Sequence, residues 1–243
     1  MGEVILVTGA AGAIGSATAE ALRSQGYRVV GLDIEGGVEL RHDLLDTAGT
    51  ERLIATDPAL AGLRHLVAVA GGPVEAEIGR LDPSEVPVEV FESSVRLNLV
   101  AQYALVRAGA ARIEAESPDG DRSITLFSSI NALRGYGMPG YSAAKAGLLG
   151  LVVALALPLG RRGLRINAIT PGTVLTERFR DNYESAEGLS PRLVESTATG
   201  SETRTEDVAQ AVCAVVGLRR MTGQHLVVDG GQMAVPFDHY PLA

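Results

Sequence analysis

The sequence predicts an α/β fold: a doubly wound parallel sheet of about seven strands with helices on both faces. Three observations predict it. Short, nearly continuous runs of Val, Ile and Leu recur along the chain, which is how strands covered on both faces read. Longer segments of helical character separate them, and such alternation implies parallel pairing through right-handed crossovers. The 243 residues, 46% hydrophobic and 21% charged, suffice for one large core and are too few for two comfortable ones. The expectation is a single domain over residues 1–243.

In chain order, strands are expected at 4–7, 28–32, 65–69, 123–127, 165–169 and 225–228, with a weaker one at 38–41. Helices are expected at 13–25, from near Asp46, over 88–116, 141–157 and 205–216. Thr205, followed by Glu206 and Asp207, has the form of an N-cap with an acidic first turn. Pro158 falls inside the helix that begins at Tyr141, so a kink or an early end is expected there. Residues 71–87 read as a loop. Residues 173–204 form a long mixed segment of the length that usually carries function, and it is expected to cover the substrate. It offers Val174, Leu175, Phe179, Tyr183, Leu189 and Leu193 for apolar contact. Arg178, Arg180 and Arg192 either pair a substrate anion or stand as solvated loop charges.

Acidic residues exceed basic ones by 29 to 21, a net charge of −8, which disfavours nucleic acid and anionic lipid as partners. The first residues, MGEVILVTGAAG, lack the basic stretch and apolar segment of an export signal. The longest apolar stretch, 146–160, contains Pro158 and falls short of the roughly 20 residues a bilayer requires. A cytoplasmic location is expected. The single cysteine, Cys213, sits in an apolar run and reads as packing. His42, His65, His225 and His239 have no ligand-like spacing, so no metal site is expected.

Thr8-Gly9-Ala10-Ala11-Gly12-Ala13-Ile14-Gly15 follows a strand and opens a helix. Glycines tighten such a turn and let the backbone approach a pyrophosphate, while the helix start offers free N–H groups and a positive dipole end. Asp33 ends the next strand, 18 residues beyond Gly15. A carboxylate there accepts both ribose hydroxyls of adenosine and repels a 2′-phosphate. No Arg lies in the glycine loop or directly after Asp33. The expected coenzyme is NAD(H), preferred over NADP(H), in a Rossmann-type site. Asp43 and Leu44 either cap the adenine or belong to a simple helix cap.

Of the 21 basic residues, 20 are Arg; Lys145 is the only Lys. Either chance spared it or its position needs a compact ammonium on a flexible stem rather than a guanidinium. No Gly-Lys-Ser/Thr phosphate loop can be written with this sequence. Tyr141-Ser142-Ala143-Ala144-Lys145 places a phenol and that ammonium on one helical face at i, i+4. A free phenol titrates near 10 and is a poor acid or base at neutral pH. A neighbouring cation stabilises the phenolate and is expected to lower that value, with an oxidised nicotinamide reinforcing it. Tyr141 would then take a proton from an alcohol or return one to a carbonyl.

Together these residues resemble the short-chain dehydrogenase/reductase superfamily, in its shorter single-domain branch. The matches are segment 8–15, Asp33, Ala70-Gly71-Gly72, Asn98, Ser128-Ser129, Tyr141 with Lys145, the run from Arg165 to Gly172, and Val228-Asp229-Gly230-Gly231. The resemblance implies that Asn98 holds a water linking Lys145 to solvent, and that a serine bonds the substrate oxygen. It also implies that Lys145 binds the nicotinamide ribose, that Ala70 and Gly71 line the coenzyme, and that Pro171, Gly172, Val174 and Thr176 grip its carboxamide. Departures are Ala13 where the family has Gly, and Val69 where it has Asn, so one hydrogen-bond network must be built differently. Ser129 is favoured over Ser128 as the catalytic serine, from the strand side of the alignment.

The helix from Tyr141 is apolar on nearly all sides, so one face is expected to pack on the sheet and the other on a second subunit. The resemblance implies the same, a homotetramer or homodimer; a monomer with loops over that face is the alternative. Two competing functions stay open: a Schiff-base lyase with Lys145 as nucleophile, which needs a desolvated amine of low pKa, and a dinucleotide-binding protein without turnover.

Overall fold

The computed structural model describes residues 2–80, 82–176, 184–185, 188–189 and 195–236. Seven strands form one sheet: β1 (Val4–Thr8), β2 (Arg28–Asp33), β3 (Leu40–Arg41), β4 (Leu63–Ala68), β5 (Ser123–Phe127), β6 (Arg165–Pro171) and β9 (His225–Val228). Their order is β3-β2-β1-β4-β5-β6-β9 and every neighbouring pair is parallel. A separate hairpin pairs β7 (Glu184–Ser185) with β8 (Gly188–Leu189). This is the expected Rossmann-type α/β architecture. The order in which strands are added across the sheet reverses between β1 and β4, and ligands of such sheets bind in the crevice at that switch point.

One strand feeds two cores. In β1, Val4 and Leu6 join the cluster beneath α2 (Thr47–Thr56), α4 (Ala101–Glu116) and α5 (Pro139–Gly160). Ile5 and Val7 join the cluster beneath α1 (Ala13–Ser24) and α6 (Thr205–Gly217). Successive strand residues face opposite ways, so a strand covered on both faces must be apolar throughout. The continuous runs in the sequence are the imprint of that. Cys213 is a free, buried member of the second cluster.

Three local expectations are revised. The helix expected over 88–116 is interrupted: α3 (Val88–Val95) passes through a π-turn at Arg96–Val100 into α4. Helix α5 runs 22 residues and continues two residues past Pro158. Pro158 lies in the last turn, so only the final residues of the helix lie beyond the bond that its missing N–H removes, and its carbonyl accepts from Arg162 Nε at 3.2 Å. Thr205 is the first residue of α6 rather than its cap; the N-cap is Arg204, whose backbone N–H donates to Asp207 at 2.8 Å.

By length and apolarity alone α5 could cross a bilayer, which the 15-residue stretch in the sequence hid. Its Ala144, Lys145, Leu148 and Val152 are buried, while Val153 and Leu157 are 67% and 62% exposed.

At the opposite end of the sheet from the crevice, Arg165 holds α6 in place. Its guanidinium meets both Asp121 oxygens at 3.0 Å and donates to the carbonyls of Val215, Val216 and Met221 at 3.3, 2.7 and 3.4 Å. A cation there also suits the negative end of the helix dipole. Replacing Arg165 by Met is expected to destabilise the protein by about 3 kcal/mol, the lower end for breaking a buried pair, since Asp121 keeps partial solvent access. Urea unfolding measures it; a loss below about 1 kcal/mol would contradict the role.

Candidate active site

The carboxyl ends of β1, β4, β5 and β6 open into a cleft of about 840 Å³. The turn after β1 forms its floor. Gly9 adopts φ +69°, and a Cβ there would lie 2.8 Å from the Ala70 nitrogen; a Cβ at Gly15 would lie 1.9 Å from the Gly9 carbonyl. Glycine is needed at both, one for conformation and one for the approach of α1 to the strand. Gly12 is the N-cap of α1, brings no capping side chain, and no acidic residue follows in the first turn. Gly12, Ala13, Ile14 and Gly15 all line the cleft. The cradle therefore fits a dinucleotide pyrophosphate, which would take those helix-start N–H groups.

Asp33 closes the adenosine end. One carboxylate oxygen accepts from the Ala11 N–H at 2.9 Å and the other from the Glu35 N–H at 3.2 Å, so the acid braces the glycine turn that it faces. Asp43 and Leu44 also line the cleft. Asp43 accepts from the Leu45 N–H at 2.9 Å, and the cap of α2 is instead Asp46, which accepts from Gly49. β3 sets Arg41 in register opposite Asp33, and its Nε donates to the Ile34 carbonyl at 3.0 Å. Sequence spacing alone did not bring that guanidinium near.

Where the family has Asn, Val69 packs into the apolar cluster under α1 and α6. Other residues hold the loop beginning at Ala70. Thr8 Oγ1 accepts from the Ala70 N–H at 3.3 Å, and Gln102 Nε2 donates to the Ala70 carbonyl at 2.9 Å. Asn98, in the π-turn, clamps Gly72 from both sides: Oδ1 accepts from its N–H and Nδ2 donates to its carbonyl, each at 2.9 Å. Nδ2 also donates to the Ser94 carbonyl at 3.0 Å. π-turns recur at functional sites; this one turns Asn98 inward.

The serine pair divides its work. Ser128 is buried, and its hydroxyl donates to the Lys145 carbonyl at 2.9 Å. Ser129 caps the short 3₁₀ turn Ile130–Ala132, its hydroxyl within 3.2 Å of Asn131 Oδ1, and it stands close enough to the Tyr141 phenol to pull its pKa down. The structure thus brings Ser129, not Ser128, to the phenol. Lys145 is 3% exposed; its Nζ donates to the Phe127 carbonyl at 2.8 Å and lies 5.5 Å from the Tyr141 ring centre. Beside it Gly71 adopts φ +133°, and a Cβ there would lie 2.8 Å from Asn98 Oδ1, so glycine at 71 leaves room for the Asn98 clamp.

The electrostatics of the pair run against the expectation. Burial raises the Tyr141 phenol above its ordinary value, and only Ser129 opposes this. Burial also lowers the Lys145 amine to about 8. Lys145 Nζ stands over the ring, 5.5 Å from its centre, and it is burial of the phenol that sets the direction of its shift.

Pro171, Gly172, Val174 and Thr176 line the other wall. Asp229, from the Val228-Asp-Gly-Gly motif, accepts from Gly231 and Met233 N–H groups, both at 2.8 Å. A Cβ at Gly172 would lie 2.7 Å from the Asp229 Cβ. The motif's task is to back the 171–176 wall. Phe179, Tyr183, Leu193, Arg178, Arg180 and Arg192 lie outside the described residues, and Leu189 is described only by its backbone. Among the described residues no group of three or more His, Cys, Asp or Glu could hold a metal ion.

Known proteins resemble this chain. A family model described as enoyl-(acyl carrier protein) reductase matches residues 9–233. The L-rhamnose 1-dehydrogenase (NAD(P)(+)) of Azotobacter vinelandii is 32% identical, over 94% of this chain and 96% of its own length. The D-threitol dehydrogenase of Mycolicibacterium smegmatis is 30% identical, over 95% and 92%. A solved oxidoreductase of the short-chain dehydrogenase/reductase family from Burkholderia thailandensis superposes with a TM-score of 0.80 at 30% identity, over 96% and 94% of the two chains. Matched in this way along nearly its whole length, the chain belongs to the short-chain dehydrogenase/reductase superfamily, and it is an oxidoreductase of alcohol or carbonyl groups that uses a nicotinamide coenzyme.

Proposed function

We propose that the protein is an NAD(H)-preferring dehydrogenase of small secondary alcohols and their ketones, working as one catalytic domain in which 173–204 covers the substrate. The observation that carries this is the convergence of Tyr141, Ser129 and Lys145 at one end of a cleft whose other end is closed by Asp33. The coenzyme, when bound, supplies the carbon that accepts or gives the hydride. Tyr141 takes the proton from the alcohol or returns it to the carbonyl. Ser129 holds the substrate oxygen in line with that hydroxyl, breaking its contact with Asn131 to do so. Lys145 reaches the nicotinamide ribose, and its ammonium there favours the phenolate once a positive ring is also present. The Asn98 side chain is spent on Gly72 and Ser94, so a relay water bound at Asn98 falls to its backbone carbonyl. Two relatives are named for sugar or polyol oxidation, which makes polyols and aldoses the first substrates to try.

Coenzyme preference rests on Asp33. Its carboxylate lines the cleft, whereas Arg41 does not, so a 2′-phosphate meets the acid first. Asp33→Asn keeps an acceptor for the Ala11 N–H but removes the charge. It is expected to shift the NAD(H)/NADP(H) ratio of kcat/KM toward NADP(H) by about tenfold or more, equivalent to about 1.4 kcal/mol. An initial-rate panel of alcohols and carbonyls with both coenzymes tests the whole reading. A wild type that prefers NADP(H) would assign Arg41 the deciding role instead.

One observation suits the lyase alternative: the desolvated Lys145 amine, lowered to about 8, is what a Schiff-base lysine requires. Borohydride inactivation in the presence of a carbonyl substrate would reveal it. The half-exposed apolar face of α5, with Val153 and Leu157, supports a homodimer or homotetramer.

A further inference from the structure

Helix α5, which carries Tyr141 and Lys145, begins without a cap of its own. Its N-cap residue, Met138, makes no side-chain capping bond and sits in the left-handed region at φ 51°, ψ 67°. A helix leaves its first N–H groups without intrahelical partners, and a capping side chain takes those of the second or third residue. Here the first residue is Pro139, which has no N–H to satisfy. The second and third are Gly140 and Tyr141. Glu77 takes both: one carboxylate oxygen accepts from the Gly140 N–H at 2.6 Å and the other from the Tyr141 N–H at 3.1 Å. Glu77 is fully buried and stands 64 residues upstream of Tyr141, in the 3₁₀ turn Glu75–Glu77 of the loop after β4.

The surroundings are shaped for this contact. A Cβ at Gly140 would lie 2.7 Å from the Glu77 carboxylate, 2.9 Å from the Ser94 Cβ and 3.0 Å from the Phe91 Cα. Glycine there lets both the acid and α3 close on the helix start. The loop that carries Glu77 is pinned nearer β4 by the Asn98 clamp on Gly72. One segment is thus tied to the π-turn at one point and to the start of the Tyr141 helix at another.

We infer that Glu77 is a positioning residue for Tyr141. By capping α5 through the backbone N–H of Tyr141 itself, it fixes where the phenol stands relative to Ser129. The inference rests on the proposed role of Tyr141 as the proton carrier. A charged acceptor at a helix start binds backbone N–H groups more strongly than a neutral one. The attachment is at the residue that does the chemistry, so slack at the cap moves the hydroxyl, and misplacement by about 1 Å costs about 10²-fold in rate.

The test uses the full chain with Glu77→Ala and Glu77→Gln, each alone and combined with Tyr141→Phe. Single-turnover NADH oxidation by a carbonyl substrate gives the rate, and fluorescence titration gives NADH affinity. Glu77→Ala is expected to slow hydride transfer about 100-fold with the NADH Kd held within about twofold. Glu77→Gln, which keeps one acceptor, should lose about tenfold. In the Tyr141→Phe background either change should cost less than about threefold, because residues acting as a unit are not additive. Full rate in Glu77→Ala, or the same loss in both backgrounds, overturns the inference. If Glu77→Ala does not fold, Glu77→Gln decides, and an unimpaired rate there overturns it. A Tyr141→Phe variant at wild-type rate would overturn the acid–base reading first, and the Glu77 inference with it.

Discussion

Tyr141→Phe is expected to lower kcat by about 10³-fold, within the range that a positioned acid–base group contributes, and to leave NADH affinity within about twofold. The change deletes one oxygen. The ring keeps its place over Lys145, whose Nζ is held by Phe127 and not by the phenol. Ser129 keeps Asn131 as a partner. Loss of rate with binding retained would therefore report the hydroxyl alone and not a rearranged cleft. Stopped-flow mixing with coenzyme in excess measures it, and a loss below about tenfold would take the proton from Tyr141.

Lys145→Met is expected to produce an inactive protein that is more stable than the wild type near neutral pH. An unfolded lysine titrates at about 10.5, and this one is lowered to about 8 by burial. Below pH 8 both states carry the charge and the folded state bears the full desolvation penalty, on the order of 3 kcal/mol. Between about 8 and 10.5 the unfolded chain binds more protons than the folded one, so wild-type stability rises with pH through that window. Above it the penalty is gone. Methionine fills a similar volume without charge, and the lost bond to the Phe127 carbonyl offsets part of the gain, about 1 kcal/mol. The net expectation is about 2 kcal/mol of added stability at pH 7, no rise between pH 8 and 10.5, and loss of turnover. Urea melts at several pH values check the first two. A variant less stable than wild type at pH 7 would show that the amine is not held at a cost. The sequence keeps one lysine among twenty-one cations, in a buried place where its charge is costly.

How much could be read without coordinates depended on the range of the interaction. Strands, sheet class and glycine turn were legible because each is written in a short window: apolar runs, then Gly9, Gly12 and Gly15 beside one strand. Asp33, Tyr141 and Lys145 were legible for the same reason. Glu77 was not, because its partners lie more than sixty residues away and an acid in a polar loop reads as solvated. Gln102 and Arg41 were missed likewise, since only sheet register and helix packing bring them to Ala70 and Ile34. Spacing from Tyr141 left Ser128 and Ser129 level; geometry separates them, since Ser128 turns to the α5 backbone. The direction of the Tyr141 shift was misjudged because i, i+4 spacing puts two side chains on one face without saying which atoms meet. The π-turn had no local signature, as its residues Arg96–Val100 are ordinary helix formers.

The central claim is that a nicotinamide coenzyme lies along this cleft with its reactive carbon facing the Tyr141 hydroxyl. A crystal structure of the protein with NAD⁺ tests it most directly. The account predicts the adenosine ribose hydroxyls on Asp33, the pyrophosphate at the first turn of α1, and the nicotinamide between the Gly172 wall and Tyr141. A nicotinamide remote from that hydroxyl, or a ribose that avoids Asp33, would contradict it.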